Sequence, residues 1–138
     1  MNTAEFSPIN SLEKMMVSAR AGQASQLEMV TELVNSQVVV LLNQDIPESG
    51  WHEDILLLKL MNPAGDPMLA VFTALERAIP WSGAESEFKF AIHTEFSWLL
   101  HRIAPELGIA VNPGGALGFE VPALGVAELK SEFISSLM

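Results

Sequence analysis

Cysteine is absent from the 138-residue chain, which rules out disulfides, thiolate nucleophiles and zinc–thiolate sites and leaves the redox compartment open. Basic residues are scarce. Seven Lys and Arg stand against seventeen Asp and Glu, for a formal net charge of −10. Such a surface repels the phosphates of nucleic acids and anionic lipids, so nucleic acid is not an expected partner. Long apolar runs are also lacking. Val38 to Leu42 and Ile55 to Leu58 fall far short of the roughly 18 to 20 residues that cross a bilayer, and no membrane partner is expected. The stretch from Met1 to Pro8 has neither the basic region nor the apolar block of a secretory signal, so the expected location is cytoplasmic.

What is present points to a folded domain. Hydrophobic residues make up 49% and charged residues 17% of the chain, enough apolar surface to offset the entropy of ordering it. One domain over residues 1–138, with its core at about 11–135, fits the length. The negative charge keeps such an apolar chain soluble and would steer it toward a basic protein surface.

Asn10 three residues before Glu13 reads as a helix start, with Leu12, Met15, Met16 and Ala19 at helical spacing and Gly22 as the stop. Ser25 and Glu28 form a second capping-box pattern ahead of Leu27, Val30, Leu33 and Val34. Gln37 to Leu42 is a continuous, mostly β-branched apolar run, the pattern of a strand covered on both faces. The acidic, Pro- and Gly-bearing stretch from Asn43 to Asp54 is a loop by composition. Ile55 to Met61 and Met68 to Thr73 read as a hairpin around the Asn62 to Pro67 turn. Thr73 is placed to cap the next helix, with Glu76 reaching back.

Trp81 to Glu87 reads as a further loop. The spacing predicts an amphipathic helix over His93 to Ala104, with Phe96, Leu99, Leu100 and Ile103 on one stripe and Pro105 ending it. Ile109 to Val111 and Phe119 to Val121 read as strands joined through a type II turn at Asn112-Pro113-Gly114. Pro122 opens a last helix, with Val126, Leu129 and Phe133 inward. The expected fold class is α+β: a mixed sheet of about five strands with helices against it, two short ones at the N-terminus and one at the C-terminus.

Taken in order, the opening helix pair, the Val38 to Leu42 strand, Val71-Phe72-Thr73-Ala74-Leu75-Glu76, the helix at Phe96 to Ile103, and Gly108-Ile109-Ala110-Val111-Asn112-Pro113-Gly114 form a pattern. It resembles the N-terminal domain of the SseB family, named after the enhanced serine sensitivity protein. The resemblance covers residues 11–132 and rests on short apolar motifs. It implies a serine-sensitivity phenotype on overproduction and no agreed catalytic residues. If the family shares a ligand groove, the matching positions are Phe72, Thr73, Asn112 and Gly114, at strand ends where clefts tend to open.

Chemistry-bearing patterns are few. His93 and His101, eight residues apart on one expected helix, would be separated by about 12 Å, too far to share a zinc ion. His52, Glu53 and Asp54 do not have the spacing of a calcium loop. No Gly-x-Ser-x-Gly elbow and no phosphate-loop signature occurs, so neither metal nor cofactor is expected. Trp98 falls about 200° from Phe96 on the helix, with Arg102 one turn on where it can stack over the indole. Trp51 and Trp81 sit in loops, and with Trp98 and Arg102 they make the candidate partner surface. Met15, Met16 and Met29 form a second, adaptable candidate.

The expectation is a non-catalytic interaction or regulatory module with a protein partner, open to self-association. Two alternatives accompany it: a sensor or minor enzyme of amino-acid metabolism, and an acidic inhibitor or immunity-type protein for a basic partner.

Overall fold

The computed structural model describes residues 7–46, 48, 54–83, 86–115 and 118–134. Helix α1 (Ser11–Arg20) starts where Asn10 accepts the amide of Glu13 at 2.9 Å. Helix α2 (Gln26–Val34) starts on a complete capping box, the Glu28 amide donating to Ser25 Oγ and the Ser25 amide to Glu28 Oε1, each at 3.0 Å. Both starts agree with the sequence reading, because a short polar side chain satisfies amides that have no partner inside the helix.

Six strands follow or alternate with three more helices: β1 (Gln37–Leu42), β2 (Lys59–Met61), β3 (Pro67–Val71), α3 (Leu75–Ala78), β4 (Phe90–Glu95), α4 (Phe96–Arg102), β5 (Gly108–Val111), β6 (Phe119–Val121) and α5 (Ala123–Leu129). The fold is α+β, as expected, but the sheet is divided. β1 and β4 form an antiparallel pair, while β2-β3-β5-β6 form a four-stranded mixed sheet whose central β3 and β5 run parallel. The larger sheet therefore has four strands rather than about five. β1 reaches it only through isolated bridges, Val39 to Phe72 and Leu42 to Leu57.

Those bridges explain another difference. The expected strand over Ile55 to Met61 is a ladder only from Lys59, because Leu58 is shared, its amide donating to Leu41 and its carbonyl accepting from Ala70. The turn that follows is as read: Gly65 has φ 90° and the Asn62 side chain accepts the Asp66 amide at 2.8 Å.

The expected helix over His93 to Ala104 begins only at Phe96, since Phe90 to Glu95 is strand. Along β4, half-buried Ile92 and Thr94 alternate with exposed Ala91, His93 and Glu95. That period of two is the strand's own signature, and the ladder with β1 decides it. His93 and His101 thus lie on different elements. The last helix starts at Ala123, with Pro122 as its cap and Val126 buried; the placement of the Phe133 side chain lies outside what is described.

Because β1 is buried along Val38 to Leu42, its side chains feed two clusters. Val38, Val40 and Leu42 join Leu69, Val71, Ile109 and Val111 against α1, α2, α4 and α5. Val39 and Leu41 join Ala70 and Phe72 on the opposite face, where Ala78, Trp81 and Phe88 close a smaller cluster.

Candidate functional site

Where α1, the β3–α3 junction and the end of β5 converge, the core holds the three buried polar residues of the described chain: Glu13, Thr73 and Asn112. Glu13 is fully buried, and its Oε1 accepts from Arg77 at 2.7 Å and from the Ile9 amide at 2.9 Å. Its Oε2 accepts from Arg77 Nε at 3.0 Å and from the Thr73 hydroxyl. That hydroxyl accepts in turn from Asn112 Nδ2 at 2.8 Å, while Asn112 Oδ1 takes the Thr73 amide at 3.0 Å. The Thr73 carbonyl accepts from Asn10 Nδ2 at 2.7 Å. Asn112 has φ 49°, a left-handed conformation that asparagine tolerates better than most residues, and it opens the turn in which Gly115 donates to its carbonyl at 2.9 Å.

Burial by itself would push the Glu13 carboxyl up. The hydrogen bonds from Arg77, Thr73 and Ile9, together with the Arg77 charge, outweigh it and hold the group below its ordinary value. Hydrogen bonding to Glu13 raises Arg77. The carboxylate is therefore ionised at neutral pH and has both oxygens engaged, so it fastens three segments together and presents no basic lone pair to a substrate. No buried side-chain polar atom among the described residues lacks a partner.

Thr73 was expected to cap α3. The N-cap position belongs to Ala74, whose methyl offers no acceptor, and the Thr73 hydroxyl is turned to Glu13 instead. The two motifs singled out as a groove do meet, as a buried junction: Phe72 and Thr73 are 0% and 2% exposed, so neither lines an open surface. Asn112, itself 3% exposed, and Gly114 do border a recess of about 210 Å³ with Phe119 and Glu120. Sequence reading took Glu13 only as part of the start of α1 and did not single out Arg77. The available signal was a glutamate at the third position of α1, on the side of the helix that carries Leu12 and Met16.

The candidate partner surface separates in space. Trp81 packs on Phe72, ring centroids 6.5 Å apart, in the smaller cluster, whereas Trp98 packs against the larger cluster across the sheet. Trp51 lies outside the described residues. Trp98 and Arg102 come together, the guanidinium carbon 4.7 Å from the indole centroid. They flank an open cleft of about 390 Å³ between α4 and the segment entering β2, floored by Leu57, Leu69, Leu99 and Ile103. Its lining includes Lys59 and Arg102 but no acidic residue. A second cleft, of about 370 Å³, has Met16 and Met29 in its wall; Met15 does not line it.

Among the described residues no group of three or more His, Asp or Glu is placed to hold a metal ion, and no helix is long and apolar enough to cross a membrane. Comparison with curated proteins and with solved structures gives no match. The family model described as the SseB protein N-terminal domain matches residues 12–128, a span that takes in Glu13, Thr73, Arg77 and Asn112 as well as Trp98 and Arg102. With that match over most of its length, the chain belongs to the SseB family, as a domain of the N-terminal type.

Proposed function

We propose that this domain works by contact rather than catalysis, as a protein-interaction or regulatory module that receives an apolar anchor of its partner in the cleft beside Trp98 and Arg102. The observation that carries the reading is the cleft itself: an apolar floor, an aromatic–guanidinium lip, and Leu56 at its border, 51% exposed. Aromatic and arginine anchors around a desolvated apolar pocket are the usual carriers of binding energy at interfaces. The saturated hydrogen bonding around Glu13 supports the same reading, since the one fully buried carboxylate of the described residues is committed to holding the fold. The overall charge of −10 would bring up a basic partner through long-range steering, the condition an inhibitor of a basic protein needs.

The test compares partner capture by the wild-type chain with capture by Leu56→Asp and Arg102→Glu, each checked for an unchanged circular dichroism spectrum. Loss of the same protein from both variants is expected; equal capture by all three would overturn the reading. One observation favours a second reading, an amino-acid-related sensor: the cleft volume of about 390 Å³ lies in the range of small-molecule sites. A saturable rise in melting temperature with one member of an amino-acid panel, abolished by Leu56→Asp, would select it.

A further inference from the structure

Among the described residues β4 is the outer strand of its sheet, with β1 as its one ladder neighbour. The direction of its free backbone groups follows from the bonds that β1 makes on its other side. Val39 exchanges both of its backbone hydrogen bonds with Phe72, each at 2.8 Å, and the Leu41 carbonyl accepts from Leu58. Odd-numbered residues of β1 therefore point away from β4 and even-numbered ones toward it. In an antiparallel ladder opposed residues share that direction, so Val38 with Thr94, Val40 with Ile92 and Leu42 with Phe90 are the hydrogen-bonded pairs. Ala91 and His93 are left with amides and carbonyls aimed at the open edge, and Glu95 with its amide, its carbonyl standing at the N-cap of α4. All three are exposed, and these edge groups make no backbone hydrogen bond to a turn, loop or cap of the described residues.

Natural sheet edges are usually blunted by prolines, bulges, short length or central charges. β4 has none of these. Its register with β1 is unbroken over six pairs, it contains no proline, and its charges stand at the ends, Glu95 at the last position and Lys89 one residue before the first.

We propose that β4 pairs antiparallel with β4 of a second copy of this chain, about a two-fold axis through Ile92, so that the two small sheets become one continuous sheet across a dimer. Outward-facing residues can oppose one another about Ile92 or about His93. The axis through His93 sets two histidines face to face and leaves Glu95 opposite Ala91. The axis through Ile92 sets Ala91 opposite His93, Ile92 against its own copy, and Lys89 opposite Glu95 at both ends. Opposite charges directly across an antiparallel pair are stabilising and like charges are not, which selects the second register, all the more in a chain of net charge −10. The contact is isologous and closes on itself, so it yields dimers and not filaments through this edge. It is independent of the cleft beside Trp98.

Sedimentation equilibrium of the wild-type chain and three kinds of variant tests this. A concentration-dependent dimer is expected for the wild type. His93→Pro removes one outward amide without touching the β1 ladder, since proline is tolerated where the N–H faces away from the sheet, and it should give a monomer with an unchanged circular dichroism spectrum. Lys89→Glu and Glu95→Lys alone should each weaken the dimer roughly tenfold, which two like-charge pairs per dimer account for, and the two together should restore it. A wild-type chain still monomeric at the highest soluble concentration, a dimer indifferent to His93→Pro, or a double charge exchange that leaves association as weak as the single ones would each overturn the proposal.

Discussion

Thr73 is the hinge of the buried junction, and Thr73→Val isolates its hydroxyl from its shape. The side chain is 2% exposed; its hydroxyl donates to Glu13 Oε2 and accepts from Asn112 Nδ2. Valine fills the same volume but is not a neutral exchange, because it removes both bonds at once. A hydrogen bond to a charged acceptor contributes about 1.5–3 kcal/mol, and a buried donor left without a partner costs about 1–3 kcal/mol. Three things moderate the sum. Glu13 Oε2 keeps Arg77 Nε at 3.0 Å, the Thr73 backbone keeps its bonds to Asn112 and Asn10, and the added methyl gains under about 1 kcal/mol. The net expectation is a loss of about 3 kcal/mol, a large part of the roughly 5–15 kcal/mol that holds a domain folded. Thr73→Ser is the control. It keeps the hydroxyl and deletes one methyl, for about 1 kcal/mol. Equilibrium urea unfolding measures both, as shifts in midpoint at constant slope. Should Thr73→Val cost no more than Thr73→Ser, the hydroxyl would not be what ties Asn112 to Glu13, and the account of the junction would fail.

Glu13→Gln should destabilise by about 2 kcal/mol at pH 7, because it removes the buried carboxylate charge that Arg77, only a quarter exposed, is paired with. The folded carboxyl lies below its ordinary value of 4.5, so the stability it contributes is complete above about pH 4.5 and is lost as pH falls through the lowered value; the gap between wild type and Glu13→Gln in urea should close over that acidic window and stay flat from pH 6 to 8. A Cβ at Gly108 would come within 2.5 Å of the Met68 sulfur and 2.6 Å of the Val121 carbonyl, where β5 and β6 pair, so Gly108→Ala should cost about 1–3 kcal/mol and lower the melting temperature. Ser25→Ala opens the α2 capping box and should cost about 1 kcal/mol, with the same assay deciding.

The helix starts at Asn10 and Ser25, the buried strand from Val38 to Leu42 and the turn opened by Asn112 were all legible because each is settled within a few residues: a cap satisfies the next amides, a continuous apolar run demands cover on both faces, and proline followed by glycine presets a turn. The family pattern was legible for the same reason, being made of such local pieces in a set order. What tertiary structure alone decided was every pairing over distance. Phe90 to Glu95 became a strand because β1 had an open edge to offer it, and Leu58 became a bridge between β1 and β3. Glu13 met Arg77 across 64 residues and drew the Thr73 hydroxyl away from its expected cap. Local spacing sets which residues share a face of one element; it carries no information about which distant element that face will meet, and there the buried charges and the open edge acquire their partners.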